Sequence, residues 1–430
     1  MKTVLHPEFS WRFSASLRLC VRCLGLCLLI SRIHAEDWPQ FRGPRGDGTW
    51  QGPTLPEQWP ESGLKPLWKR EIGGGYSGIS VVGERVYTMD RQKPPDERER
   101  ILCFQAETGD LLWKHEYPVE YGKLDYGNGP RSTPSIHDGR LYAVGAMGDV
   151  RCLEATSGEL IWQLHYVKDF SGRLPTWGFA GSAVIHNDFC YLSPGSGDGA
   201  SVIAVHRLTG KELWRSLKDE AGYCTPLVFR AHDRDQLFFW TPSHLRFLDA
   251  TTGELLWSHP YEIQYGVSIA KPIYQDGIIF ISGYWDGAKA IRLGETAHDT
   301  KLAWEDRSFL RGLMAQPLYR HGLGYLLDKN QGLTCFELQT GKKLWDDDHQ
   351  MTPRDRNPQA SLVWLGDDDR AIILNAEGDL ILARLNETGY HETSRTNIIG
   401  HTWAHPAYAG NRVFARSDTE IVGVSLVKEE

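Results

Sequence analysis

Five times along this chain a strand-like run closes on Thr or Ser, then Gly, then three residues, then Trp. The copies are Thr108-Gly109 with Trp113, Ser157-Gly158 with Trp162, Thr209-Gly210 with Trp214, Thr252-Gly253 with Trp257, and Thr340-Gly341 with Trp345. Trp68 and Trp304 end similar runs without the Thr-Gly pair. Successive members of this tryptophan series stand 45, 49, 52, 43, 47 and 41 residues apart, about the length of one four-stranded propeller blade. Each position has a mechanical reason. Gly accepts a positive φ in a hairpin turn, the hydroxyl bonds back to the turn backbone, and the Trp on the next strand packs against a neighbouring blade.

Upstream of each turn lie two more strand-like runs joined by turn residues. Asp138-Gly139, Gln275-Asp276-Gly277 and Val82-Gly83-Glu84 hold matching places. Each unit therefore reads as four strands, A to D, and the A strands begin near Tyr76, Arg131, Gly178, Gly222, Val267, Leu313, Gln359 and Thr402. The eighth unit stops after three strands, at residues 421–427, while residues 64–72 form an unassigned strand at the beginning. The predicted fold is all-β: a single eight-bladed β-propeller of four-stranded antiparallel blades over residues 64–430. The N-terminal strand closes the ring and removes its edges. Residues 36–63 precede it as an N-terminal extension.

Residues 1–35 have the layout of a secretory signal peptide: Lys2, Arg12, Arg18 and Arg22, then an apolar run from Leu24 to Ile30, with cleavage expected after Ala35. That run is short for a membrane span and no later stretch approaches spanning length, so a periplasmic or secreted protein with no span after cleavage is expected. Without the segment, 42 basic residues face 54 acidic ones, a charge of −12 that disfavours nucleic acid and anionic membrane. Five cysteines remain: Cys103, Cys152, Cys190, Cys224 and Cys335. They lack the spacing of a disulfide framework, and Cys103, Cys152 and Cys335, each six residues before a repeat Gly, read as core fillers.

The Thr-Gly and Trp pattern resembles the pyrroloquinoline-quinone (PQQ) repeat of quinoprotein alcohol dehydrogenases and of the outer-membrane assembly propeller lipoprotein. The opening Asp37-Trp38-Pro39-Gln40-Phe41-Arg42-Gly43-Pro44, with Ala221-Gly222-Tyr223 and Trp177 to Ser182, resembles secreted PQQ-like propeller proteins, and the likeness runs from residue 36 to 430. For a quinone enzyme the resemblance implies an adjacent Cys pair over the cofactor, a Trp floor, carboxylate and amide ligands for calcium, and a catalytic Asp. No two cysteines are adjacent here, so no cofactor is expected. PQQ with calcium, serving a quinoprotein-like oxidoreductase, stands as the alternative. Cys27 lacks the small residues of a lipobox, which weighs against the assembly role.

Gly73 to Gly78 matches G-x-G-x-x-G but opens a strand, failing the context of a dinucleotide loop. His401 and His405 share one face of a strand at roughly 13 Å, too far apart for one metal. The runs Asp346 to Asp348 and Asp367 to Asp369 read as solvated turns. No catalytic or metal residue is assigned, and the protein is expected to bind rather than catalyse. The topology places the loops entering A and those joining B to C around one mouth of the channel, with the Thr-Gly turns on the opposite face. Tyr76, Arg131, Trp177, Tyr223, Gln316, His401 and Trp403 gather at that mouth, near Pro194 to Ala200, Tyr284 and Trp285. They are expected to bind a protein, peptide or small polar ligand, with the planar fork of Arg131 foremost. Trp177 and Trp403 have a second reading as seals of the channel.

Overall fold

The computed structural model describes residues 35–296 and 299–427, so the expected signal segment up to residue 34 lies outside them. Eight antiparallel sheets form the blades of a ring. Their inner strands are Ser80–Val82, Ser135–His137, Val184–His186, Leu227–Ala231, Ile273–Gln275, Leu318–Arg320, Ala360–Leu365 and Ala407–Ala409. All but the seventh, which begins one residue after Gln359, begin a few residues later than predicted, because residues such as Tyr76, Arg131 and Thr402 belong to the loops that lead into these strands. The eighth blade takes its outer strand from the beginning of the chain: Pro66–Glu71 pairs antiparallel with Glu420–Ser425, with Trp68 opposite Gly423. The predicted closure is what the structure contains.

The repeat motif acts between blades. Each motif Gly has a positive φ, and a Cβ built on it would collide with the Trp of the preceding blade. Gly109 would meet Trp68 at 2.4 Å, Gly158 would meet Trp113 at 2.5 Å, and Gly253 would meet Trp214 at 2.5 Å. The indole N–H then reaches across to the next blade. Trp68 donates to Ala106 O at 2.9 Å, Trp113 to Ala155 O at 3.1 Å, Trp162 to Arg207 O at 2.9 Å, Trp257 to Thr300 O at 3.0 Å, Trp304 to Leu338 O at 2.9 Å and Trp345 to Asn386 O at 2.9 Å. Glycine is therefore required twice, for the turn and for the ring lying on it. All five described cysteines are buried and unpaired, and burial pushes the thiols of Cys103, Cys152, Cys224 and Cys335 up to about 12.

The N-terminal extension turns into the channel, which nothing in the repeat foretells. Trp38 exchanges two backbone hydrogen bonds with Val81 on the inner strand of blade 1, and Pro39 O accepts from Ile136 N of blade 2 at 2.7 Å. Thr49–Trp50 then runs parallel to the inner strand of blade 7, with Thr49 opposite Trp364 and Trp50 opposite Leu365. Between them the chain touches the loops leading into blades 5, 6 and 8, through Lys271 Nζ to Gly46 O at 2.9 Å, Arg42 to Pro317 O at 2.7 Å, and the Phe41 ring against His405 at 4.9 Å. Trp38, Trp50, Leu55 and Trp59 are all buried, and this apolar surface offsets the ordering of the segment. The extension is thus a plug entering from the turn face.

Candidate binding face

On the opposite face the loop between blades 1 and 2, residues 119–134, roofs the mouth. Tyr76 N donates to Pro130 O at 2.8 Å and the Tyr76 hydroxyl to Tyr126 O. Arg131 folds back on its own loop, donating to Gly129 O at 2.5 Å, Gly127 O at 2.7 Å and Asp125 O at 3.3 Å, while its guanidinium lies 5.4 Å from the Tyr76 ring centre. Farther back, the fully buried Glu99 carboxylate accepts from the Tyr117 and Tyr121 hydroxyls at 2.6 Å each and from Ala146 N at 3.0 Å. Burial still raises its pKa against those three donors. At the far end of the roof, Asn357, from the loop into blade 7, donates to the Tyr126 hydroxyl at 3.3 Å.

Beside the roof lies a small open cleft of about 70 Å³ lined by Tyr76, His401, Trp403, Ser417 and Asp418. Trp403 stacks on Tyr76 at 5.7 Å, with Tyr126 at 5.8 Å and His401 at 6.1 Å. Trp177 and Tyr223 form a second pair at 5.4 Å. Burial pushes the Tyr223 phenol up to about 12, opposed by the Arg131 charge. The structure therefore gathers Tyr76, Arg131, His401 and Trp403, and sets Trp177 and Tyr223 within electrostatic reach of them. Gln316 stands apart: it is buried, its Oε1 accepts from Lys271 N at 2.6 Å and its Nε2 donates to Met314 O at 2.8 Å, so it ties blade 5 to blade 6. The indole nitrogens of Trp177 and Trp403 are buried with no described acceptor.

Three aromatics missing from the predicted cluster proper stand out from this face. Tyr126, Tyr265 and Trp285 are 49%, 69% and 43% exposed, the only large aromatics among the described residues that are so exposed. Tyr284 continues the line, donating its hydroxyl to Arg356 O next to Asn357, and packs on Trp285 at 4.7 Å. Lys329 Nζ lies 4.8 Å from the Tyr284 ring and 4.1 Å from that of Trp285, a cation–π arrangement on both. Tyr126 and Tyr265 have φ of 64° and 59°, the left-handed region that side chains rarely adopt. Only the sequence neighbourhood of Tyr284 and Trp285 pointed here; positive φ at a Tyr leaves no signal in a sequence.

The lumen between plug and roof is basic. Arg42 is 7% exposed and bonds only to Asp47 O and Pro317 O; Lys271 Nζ bonds only to Gly46 O; His405 Nδ1 meets Ser361 Oγ at 3.2 Å. No ion pair joins Arg42 or Lys271 to a carboxylate among the described residues. A hard divalent cation such as calcium requires several oxygen ligands, usually including carboxylates. These side chains supply no carboxylate ligand for calcium, and the described residues contain no cluster of His, Cys, Asp and Glu suited to a metal.

Comparison with known proteins places this geometry. The profile of a family described as outer membrane protein assembly factor BamB matches residues 97–347 and 241–426. A protein of that name from Kangiella koreensis is 23% identical over 188 residues, which are 43% of this chain and 44% of the relative, so the match spans less than half the length of that curated relative. Among solved structures, BamB from Moraxella catarrhalis aligns over 84% of this chain and 97% of its own, at 15% identity and a TM-score of 0.57. A europium-containing methanol dehydrogenase aligns over 86% and 87%, at 10% identity and a TM-score of 0.65. The quinohemoprotein alcohol dehydrogenase ADHIIG from Pseudomonas putida HK5 aligns over 91% and 80%, at 11% identity and a TM-score of 0.64. At these identities the structural likeness establishes the propeller fold alone.

Proposed function

The chain belongs to the family of the outer membrane protein assembly factor BamB, and on that premise we propose that it is an exported, non-catalytic propeller that docks a protein of the outer-membrane assembly apparatus on its mouth face. The observation that carries this reading is the line of the exposed Tyr126, Trp285 and Tyr265, with the buried Tyr284 packed behind Trp285. Rigid aromatics at a protein surface are the common anchors of protein interfaces, and the exposed ones among the described residues are confined to one face. Two of them are held on strained backbone, the kind of outlier that a binding role explains. No helix of the described residues is long and apolar enough to cross a membrane.

A photoreactive amino acid placed at Tyr265 or Trp285 in the native host tests the reading, with Leu160 on the outer strand of blade 2 as control. The expected result is an adduct with an outer-membrane assembly protein from both mouth positions and none from Leu160. Equal adducts at all three positions, or none, would discard the face. Saturable dye reduction with alcohols that depends on added PQQ and Ca²⁺ would instead support the oxidoreductase reading.

A further inference from the structure

We infer that the channel lumen holds a site for a small oxyanion, a carboxylate or phosphate group, gripped between Arg42 of the plug and Lys271 of the loop leading into blade 5. The two cations are brought together by the N-terminal hairpin. Arg42 reaches the carbonyl of Pro317, next to the Gln316 that receives Lys271 N, while Lys271 Nζ reaches back to the plug at Gly46 O. Both groups are positioned by backbone carbonyls, which accept hydrogen bonds but cancel no charge. A guanidinium cannot give up its proton at ordinary pH, and a charge enclosed by protein without a counter-ion is costly.

Both residues keep unused donors. Of the Arg42 nitrogens only Nη2 has described acceptors, and Lys271 Nζ has one acceptor for its three protons. Neither residue appears among those with buried orphan nitrogens, so the unused N–H groups are not sealed inside the protein. The imidazole of His405 lines the lumen, with Nδ1 engaged by Ser361 and Nε2 without a described partner. Around Lys271 the other titratable groups are Arg42, Cys224 and Asp47. The Cys224 thiol is pushed up to about 12 and remains protonated, and Asp47, on the exposed side of the plug, supplies the nearest negative charge. Burial first, and the Arg42 charge second, hold the Lys271 amine down to about 8 and the His405 imidazole down to about 3.

The test uses the full mature protein, titrated calorimetrically with sodium phosphate and, separately, sodium acetate at fixed ionic strength. One saturable site per chain is expected, weakened at least about tenfold by Lys271→Met, which keeps the length of the side chain, and unchanged by Lys301→Gln on the exposed outer strand of blade 5. Because a bound anion raises the Lys271 pKa, wild-type binding near pH 8 should take up protons, read by repeating the titration in buffers of different ionisation heat. That uptake serves as the deciding measurement should the Met variant fail to fold. Phosphate binding without acetate binding assigns the site to phosphate; binding of both assigns it to oxyanions in general. No saturable heat at millimolar anion, or binding without proton uptake that survives Lys271→Met, overturns the site and leaves lumen water as the partner of these cations.

Discussion

Trp68 closes the ring, and its surroundings allow the cost of removing it to be worked out. It is 5% exposed, donates to Ala106 O, and lies between two glycines: a Cβ on Gly109 would stand 2.4 Å from the ring and one on Gly423 2.6 Å from it. Truncating a buried Trp costs about 3–5 kcal/mol, and the value rises with the cavity that remains. Glycines have no side chains to move into the gap, and the flanking Phe104 and Phe414, at 6.4 and 5.9 Å, belong to packed neighbouring strands. Trp68→Ala should therefore fall near the upper end, about 5 kcal/mol. Gly423 has no positive φ, so an Ala there is penalised only by collision with the indole. Gly423→Ala alone should destabilise by about 1–3 kcal/mol, whereas in the Trp68→Ala background it should be neutral or restore about 1 kcal/mol by filling the void. Urea unfolding of the four proteins, followed by far-UV circular dichroism, gives the coupling. Equal cost of Gly423→Ala in both backgrounds would refute the packing of Trp68 on the last blade.

Arg131→Ala removes three donors to carbonyls of its own loop, so hydrogen exchange of residues 119–130 should accelerate while the global midpoint moves by less than about 1 kcal/mol; an unmoved loop would show that Tyr76 and Glu99 hold the roof without it. His405 has its pKa depressed from 6.5 to about 3 on folding, so the unfolded chain binds the extra proton between those values, and this contribution to stability is present above pH 6.5 and is lost as pH falls towards 3. In His405→Gln the stability should fall less steeply over that window, and an identical pH profile would count against a buried neutral imidazole. Deleting residues 36–72 takes away both plug and closing strand and should give aggregation or a large drop in melting midpoint, as exposed strand edges do; a truncation that melts like the mature protein would dismiss ring closure.

The repeat was legible because each Thr-Gly turn and Trp is a local pattern with a local cause, and the same pattern placed the blades and the closing strand. The A-strand starts came early by a few residues because Tyr76, Arg131 and Thr402 are loop residues with strand-like neighbours. The mouth was legible in part: Tyr76, His401 and Trp403 do share a cleft. Arg131 was chosen for its free donors, yet its nearest acceptors are three carbonyls within its own loop, a choice that sequence spacing cannot reveal. Arg42 was read only as a letter of a resembling motif. Its place in the lumen depends on Trp38 and Trp50 pairing with blades 1 and 7, contacts between residues far apart in the chain.

The closing strand and the plug lie at one end of the described chain, and what they bind lies largely at the other. Gly73 receives a hydrogen bond from Arg416, 343 residues away, and Arg42 reaches Pro317 across 275. Contacts of such separation make folding slow, because loop-closure entropy is lost before the contact rewards it. A chain emerging from its N-terminus presents Trp38, Trp50, Trp59 and Trp68 long before blades 7 and 8 exist to receive them. Until then a strand without a partner and four unburied indoles accompany every nascent molecule, a state open to misassociation. A ring sealed by residues 38–71 thus owes its finished stability to a late event, and its need for protection is greatest during synthesis.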